Sequence, residues 1–338
     1  MSYAQARLRL GIVSVGWWVV LAALGLLTGM AGRLALWELS LLYAAASFPL
    51  DLLGGQLLPR MFRRPHLAWG RWTLLYLRSL ILHLGLWTAA LGLLCEVHHG
   101  MGRGLALLAF AILVIAFWKY QMAFLQWQGV ALTRHPFGMV AAAADSRFSG
   151  GLAGFPWPGR EQLLVPALWL SDAAPEGLEQ GLRRRRQLGQ GAARAAGCWL
   201  ALAFNLGVLG QSLLASGGNP GLLVCASTLG NFVELLLLPS LSRAGVVSAD
   251  RQSPVPQAWQ DWMERLQEED PHRSPWIERI FHPIPSRSIR ATAPAPDWHP
   301  WNLARSALVT STLMGSLLSR AVHCNIGRPE LWFWPPND

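Results

Sequence analysis

The stretch "GCWLALAFNLGVLGQSLLASGGNPGLLVCASTLGNFVELLLL", residues 197–238, decides the fold. It holds two apolar runs, 196–216 and 220–241, and each has about the 20 residues that a helix needs to cross a bilayer. The tetrapeptide "GGNP" at 217–220 separates them and is typical of a tight turn. The pattern predicts two membrane-spanning helices folded into a hairpin.

Four further apolar runs precede this hairpin, at 11–32, 35–54, 72–94 and 104–125. The first is too long for the apolar part of a signal peptide, and no clear cleavage site follows it, so we expect an uncleaved span. The sequence thus predicts an all-α polytopic membrane protein with about six transmembrane helices.

The composition agrees with a membrane protein. Of the 338 residues, 52% are hydrophobic and only 14% are charged, where a soluble domain carries about 25%. The chain also holds 18 Trp, a residue that bilayer interfaces favour. Its net charge of +9 comes almost entirely from arginine in loops between apolar runs, which indicates membrane topology rather than nucleic-acid binding. The four cysteines form no CxxC pair, so we infer neither a disulfide framework nor a zinc knuckle.

The arginines also predict the orientation. With a cytoplasmic N-terminus, nearly all arginine-rich loops fall on one side, and only Arg33 and Arg103 fall on the other. The positive-inside rule then places both termini in the cytoplasm, and we expect a bacterial inner membrane. The predicted regions are a four-helix membrane part (1–125), a cytoplasmic segment (126–195), the membrane hairpin (196–241) and a cytoplasmic C-terminal region (242–338).

Two features of the C-terminal region suggest contacts with other proteins. Residues 257–267 have the spacing of an amphipathic helix, with Trp259 and Trp262 on its apolar face. The stretch "GRPELWFWPPND" carries Trp332 and Trp334. We expect Trp259 and Trp262 to dock a partner. Exposed, the stretch with Trp332 and Trp334 would also be a contact surface, whereas packed onto its own domain it would close the core. The short segment 303–319 favours a buried or interfacial helix over a seventh span.

Four blocks resemble the integral-membrane zinc metallopeptidases of the HtpX and CAAX-prenyl-endopeptidase type. The blocks are "REQLLVPALWLSD" (160–172), "LEQGLRRRRQL" (178–188), "SRAGVVSADR" (242–251) and "FHPIPSRSIR" (281–290). Their order around a membrane hairpin is similar to that family's strand, zinc helix, third-ligand block and "HP…R" segment. The resemblance covers roughly 140–292 and implies a small peptidase-like α(+β) part on the cytoplasmic side.

The same resemblance implies that the metal ligands are lost. It places Arg184 and Leu188 at the two histidine positions, Arg185 at the general base and Val246 at the glutamate ligand. Arginine is a fixed cation without a lone pair for a metal, so we expect no zinc and no other cofactor. Asp250 matches a supporting acid, and we expect it to pair with one of Arg183, Arg184, Arg185 and Arg186. Alternatively, these arginines contact lipid headgroups.

Ionisable residues inside spans are costly and often functional. Glu234 lies deep in the sixth span and Arg78 in the third, and we expect a structural pairing such as that between these two residues. A proton or ion pathway would use the same residue types.

Three functions remain open at this level. The first, which we favour, is a catalytically inactive, peptidase-like accessory or scaffold subunit of a membrane protein complex, whose partners are the lipid bilayer and other membrane subunits, with no nucleic acid. The second is an active membrane zinc metallopeptidase. The third is a transporter or channel component.

Overall fold

The computed structural model describes residues 1–136, 138–142, 150–173, 175–267, 274–294, 296–320 and 325–335. Most of these residues are helical, and one small sheet is present. In chain order the helices are α1 (Tyr3–Leu27), α2 (Leu36–Leu52), α3 (Leu58–Met61), α4 (Trp69–Met101), α5 (Arg103–Gln128), α6 (Ala167–Asp172), α7 (Pro175–Gln190), α8 (Ala192–Ser216), α9 (Pro220–Gln252), α10 (Gln257–Gln267), α11 (Pro275–Phe281), α12 (Arg287–Thr292) and α13 (Leu303–Thr310).

Among the described residues, six helical stretches are long and apolar enough to cross a membrane: α1, α2 with α3, α4, α5, α8 and α9. Large apolar side chains point outward along them, and Leu74 and Ile81 on α4 are 70% and 72% exposed. Water would penalise so many exposed apolar groups, whereas lipid does not. The chain therefore has the apolar helices of an integral membrane protein, and the number of candidate spans among the described residues equals the number predicted.

The observed spans differ from the predicted ones mainly at their ends. Helix α9 continues to Gln252, eleven residues beyond the predicted end at 241, and α4 extends at both ends. Hydropathy marks only the part of a helix that lies in lipid, while the hydrogen-bonded helix continues beyond it. The two helices of the hairpin meet at the predicted turn, where Asn219 caps α9 by accepting a hydrogen bond from the Leu222 amide at 3.1 Å.

One end of the helix bundle carries a compact unit that we call the cap. It consists of a four-stranded sheet and helices α6, α7, α10, α11 and α12. The strands are β1 (Ala131–His135), β2 (Gly138–Ala142), β3 (Gly151–Ala153) and β4 (Gln162–Pro166), in the order β1-β2-β4-β3. Strand β2 runs parallel to β4, and the other two pairs are antiparallel. The strand expected within 160–172 and the helix expected at 257–267 are both present as β4 and α10.

Residues 301–335 form what we call the re-entrant segment, and its described residues are nearly all buried. It begins with α13 beside α8 and α9 and reaches Gly315, whose position lies against Leu91 and Val224, near the end of the bundle opposite the cap. It then returns, so that Gly327 packs against Gly55. We expected 242–338 to form a cytoplasmic C-terminal region, whereas the structure packs this segment among the six candidate spanning helices. The segment 303–319 is buried, as the sequence favoured.

Polar side chains of the spanning helices satisfy the irregular backbone of the re-entrant segment. The Asn205 amide donates to the Ala307 carbonyl at 3.0 Å, and the Gly327 amide donates to Asp51 at 2.9 Å. Further contacts of this kind come from Thr228, Trp72, Gln121 and Gln128. Non-helical backbone at membrane depth is tolerated only where protein groups replace water. These polar residues explain how the segment can lie inside the bundle.

Candidate functional site

Helix α7 is the centre of the candidate site, because it carries the four arginines where the resemblance places a zinc helix. Its apolar side, with Leu182 and Leu188, is buried in the cap. Gly181 lets α10 approach closely, since a Cβ atom at this position would lie 2.4 Å from the ring of Trp259. The basic side chains therefore sit on a helix whose position is fixed by packing.

The four consecutive arginines point in four directions, because successive residues of a helix are about 100° apart. Arg183 is exposed and pairs with Glu179, four residues earlier, at 3.0 Å. Arg186 donates to the Pro136 carbonyl at the edge of the sheet. Arg185 is buried, donates to the Gly150 carbonyl at 2.6 Å and lies 5.3 Å over the Trp169 ring. The run thus ties α7 to the sheet on two sides.

The remaining arginine of the run, Arg184, connects α7 to the end of α9. Its guanidinium donates to Asp250 and, at 2.9 Å, to the Ser253 carbonyl. Arg290 on α12 donates to the other oxygen of Asp250 at 3.1 Å. One carboxylate is therefore held between two guanidinium groups that come from distant parts of the chain. We call Arg184, Asp250 and Arg290 the arginine clamp.

The remaining positions that the resemblance assigns to ligands are apolar and buried. Leu188 and Val246 belong to one hydrophobic cluster, which also contains Leu182, Trp169 and Trp259. Aliphatic side chains provide no electron pair for a metal. Among the described residues, no group of three or more His, Cys, Asp or Glu side chains comes together in a way that could hold a metal ion. His323 and Cys324, a neighbouring pair in the sequence, lie outside the described residues.

A second buried ion pair in the cap was not anticipated from the sequence. Arg194, at the start of α8, donates to Glu161 and to the Leu152 carbonyl. Both charged side chains are almost fully buried. Burial raises the pKa of Glu161, and the Arg194 guanidinium opposes that rise. The spacing of the two residues does not predict the pair, because they are 33 positions apart in the sequence and only the folded sheet brings them together.

Beside α7 the cap contains a polar cleft of about 1250 Å3, including its open mouth. Its described lining includes Arg134 and His135 of β1, Glu161 before β4, and Arg186 with Gly189 on α7. Three basic residues and one buried acid that is already paired give the cleft a net positive lining. It lies between a sheet and a helix, and it can receive an extended or anionic group.

The intramembrane pairing expected between Arg78 and Glu234 is not formed. Arg78 is on the exposed side of α4, beside Gly129, whereas Glu234 is buried on α9. The Glu234 carboxylate accepts a hydrogen bond from the Asn231 amide at 2.8 Å, and Asn231 also donates to Asn205 at 3.0 Å. Spacing along the sequence could not show that α4 and α9 turn these two residues to different surroundings.

The four tryptophans expected at a partner surface are buried instead. Trp259 and Trp262 are 5% and 8% exposed and pack against Trp169 in the cap. Trp332 and Trp334 are 6% and 4% exposed and belong to the re-entrant segment. The expectation of an exposed docking surface at these residues is wrong, because each aromatic ring finds an apolar partner within its own chain.

The chain matches no family model, and comparisons with curated proteins and with solved structures returned no match.

Proposed function

We propose that this chain is a catalytically inactive, peptidase-like membrane protein that serves as an accessory or scaffold subunit of a membrane protein complex. The arginine clamp is the observation that carries the proposal. Three of the four blocks that resemble a zinc peptidase contribute one residue each to it: α7 gives Arg184, α9 gives Asp250 and α12 gives Arg290. The fourth block supplies β4 and α6, which pack against α7.

The side chains of the arginine clamp suit a structural role rather than hydrolysis of a peptide. A zinc site needs electron-pair donors and an open position for water. Here two permanent cations flank the one carboxylate, and a divalent ion would meet electrostatic repulsion. The clamp joins the cap to the bundle through ion pairs among its own three side chains. Such an internal link is a property expected of a scaffold.

The alternative of a transporter or channel component receives less support. The polar residues inside the spans that would line a pathway, such as Asn205 and Asp51, are engaged by the backbone of the re-entrant segment. That segment fills the interior of the bundle. Its contacts engage the Asn205 amide and the Asp51 carboxylate without an aqueous path.

A metal analysis with a reconstructed variant tests the proposal. We expect the purified protein to contain no stoichiometric zinc and to cleave no membrane or soluble peptide substrate. In the combined variant Arg184→His, Arg185→Glu, Leu188→His and Val246→Glu, three ligands and a base return to the places that the resemblance assigns. We expect this variant, and not a variant with only Val246→Glu, to bind zinc. Stoichiometric zinc with proteolysis in the natural sequence would sink the proposal in favour of the active peptidase.

The scaffold role needs a separate measurement. We expect mild detergent extraction from the native membrane to recover the chain with one fixed set of membrane subunits at constant stoichiometry. Recovery of the chain alone under conditions that preserve other complexes would contradict an accessory-subunit role, even if zinc were absent. We propose that the cap faces the cytoplasm of a bacterial cell, because most loop arginines lie at that end of the bundle.

A further inference from the structure

The cap carries two exposed tryptophans, and an exposed arginine follows each of them three residues later. The pairs are Trp157 with Arg160 and Trp276 with Arg279, and the two indole side chains are 56% and 71% exposed. We propose that these two pairs, which we call the tryptophan anchors, enter the phospholipid headgroup layer and hold the cap against the surface of its own bilayer. This inference goes beyond the proposed function, because it needs the candidate spanning helices but neither the arginine clamp nor a relationship to peptidases.

The level of the bilayer on the cap side can be located along α9. Leu241 is the last large apolar side chain of this helix that is exposed, at 45%. It lies about 32 Å along the helix from Pro220 at a rise of about 1.5 Å per residue, which is close to the hydrocarbon thickness of about 30 Å. The hydrocarbon on the cap side therefore ends near Leu241. Trp69 and Trp127 are exposed at the cap-side ends of α4 and α5, as expected of the tryptophan belt at such a boundary.

The anchor on α11 lies beside this level. The Arg279 guanidinium donates to the hydroxyl of Ser240 on α9 at 3.3 Å, and Ser240 is the last residue before the boundary. Trp276 lies one turn earlier on α11, so its ring and the Arg279 guanidinium lie on the same side of this helix. The buried Glu278 pairs with Arg243 of α9 at 3.4 Å and fixes α11 in this position. Trp276 is therefore held at the height of the headgroup layer.

The other anchor lies in the loop between β3 and β4, which is fastened to α8. The indole of Trp199 on α8 donates to the Pro156 carbonyl of the loop at 3.1 Å. The next residue of α8 is Leu200, which is 40% exposed and belongs to the apolar surface of this spanning helix. Trp157 follows Pro156, and its carbonyl accepts from the Arg160 amide at 2.9 Å in a tight turn. The loop thus holds Trp157 outward at the edge of the lipid-facing surface.

The chemistry of the anchors suits this layer. An indole combines an apolar body with one N–H donor, so it favours a boundary between hydrocarbon and water. A guanidinium group can donate two parallel hydrogen bonds to a phosphate, which every phospholipid headgroup contains. Both anchors also continue the lipid-facing surface of the bundle, one beside α8 and one beside α9. Attachment at two different helices would fix the tilt of the cap on the membrane.

A further exposed tryptophan of the same end of the molecule, Trp298, lies beyond the headgroup layer. It is 51% exposed, and the carbonyl of the preceding Asp297 accepts from Ser248 and Gln252 of α9 at 3.3 and 3.0 Å. Along α9, Ser248 is about 12 Å and Gln252 about 18 Å farther from the membrane than Ser240. The polar layer on each side of a bilayer is only about 5–8 Å thick. Trp298 therefore provides a reference that should remain in water.

Spin labelling of the full chain, reconstituted alone in nanodiscs of phosphatidylcholine and phosphatidylglycerol, tests the anchors. Pro158→Cys and Ser274→Cys each place a nitroxide beside one anchor without removing its tryptophan, and Asp297→Cys places it beside Trp298. All three positions are exposed. The ratio of nitroxide collisions with oxygen to those with a water-soluble nickel chelate rises with depth in the bilayer. We expect this ratio to be severalfold higher at 158 and 274 than at 297. The natural chain treated with the same label is the blank for its own cysteines.

Removal of the rings gives a second measurement. Trp157→Ser with the label at 158, and Trp276→Ser with the label at 274, should shift the ratio toward the value at 297, because each anchor loses its apolar group. The matched control Trp298→Ser should leave the ratio at 297 unchanged. Three results would overturn the proposal: ratios at 158 and 274 no higher than at 297, a high ratio at only one of the two positions, or high ratios that persist without the tryptophans. The first result would leave these surfaces to a protein partner instead of lipid.

Discussion

The variant Asp250→Asn tests the arginine clamp most directly. The clamp contains two guanidinium groups and one carboxylate, so its formal charge is 2 − 1 = +1. The variant keeps the size of the side chain but raises this charge to +2, leaving Arg184 and Arg290 close together without an acid. We therefore expect the variant to lose both ion pairs that Asp250 forms.

The expected magnitude follows from the exposure of the three side chains. Removing one partner of a fully buried ion pair costs about 3–5 kcal/mol. The side chains of Asp250, Arg184 and Arg290 are 16%, 11% and 20% exposed, so water screens part of the repulsion. We expect a loss of roughly 2 kcal/mol, below the value for full burial and above that for a surface pair. For a chain of this size, the midpoint of thermal unfolding should fall by about 4 °C.

Thermal unfolding in detergent, followed by circular dichroism, measures this effect. The matched control is Arg183→Gln, which breaks the exposed pair with Glu179 on the same helix and should change the midpoint by less than about 1 °C. Arg290→Gln should fall between the two, because it leaves Arg184 and Asp250 as a neutral pair. If Asp250→Asn matches the Arg183→Gln control, the clamp does not stabilise the junction between cap and bundle, and our reasoning is wrong.

Three further predictions concern packing, hydrogen bonding and topology. Gly181→Leu places side-chain atoms where the Trp259 ring lies, so it should cost about 1–3 kcal/mol and alter the near-ultraviolet circular dichroism of the tryptophans. Thr310→Val keeps the shape of the side chain but removes an oxygen that accepts from the Asn205 amide at 2.7 Å, and should cost about 1–3 kcal/mol in thermal unfolding. Arg183→Cys should react with a membrane-impermeant maleimide in inverted vesicles and not in intact cells, because we propose that the cap is cytoplasmic.

Each of these predictions has a control within the chain. Gly16→Leu should be tolerated, since a Cβ atom at that position has no neighbour within 4 Å. Thr28→Val removes an exposed hydroxyl and should have a smaller effect than Thr310→Val. Arg103→Cys, at the opposite end of the bundle, should be labelled in intact cells. Equal effects within a pair, or labelling of both cysteines from the same side, would contradict the corresponding prediction.

The spanning helices could be predicted from the sequence because each carries its own signal. A run of about 20 apolar residues is sufficient to specify a helix in lipid, where backbone groups must pair within the segment. The helix with Trp259 is likewise predicted by its own spacing, whereas the strand after Glu161 is implied only by the resemblance of its block. For the arginine clamp, the resemblance implies the acid and the run that supplies its partner, but not that Arg184 and Arg290 both bind Asp250.

The errors have one physical origin. The sequence of 303–335 has no apolar run long enough to cross a bilayer and contains several Ser and Thr residues, so by itself it does not show that it packs among the spanning helices. Its burial depends on donors and acceptors on other helices, among them Asn205 and Asp51, more than 90 residues away. The pairing expected between Arg78 and Glu234 failed for the same reason, since it depended on how distant helices turn. Patterns along one segment contain no information about partners that only packing brings near.

The re-entrant segment imposes an order on biosynthesis. Arg328 bonds to the Tyr3 hydroxyl across 325 positions, and Arg7 bonds to the Ile326 carbonyl across 319. Contacts this distant form late, because the intervening chain must already be in place. The ribosome makes all six spanning helices before residues 301–335. The interior of the newly made bundle therefore stays unfilled until the re-entrant segment has been synthesised. A product truncated before residue 301 would leave the Asn205 amide and the Asp51 carboxylate without the partners that this segment supplies.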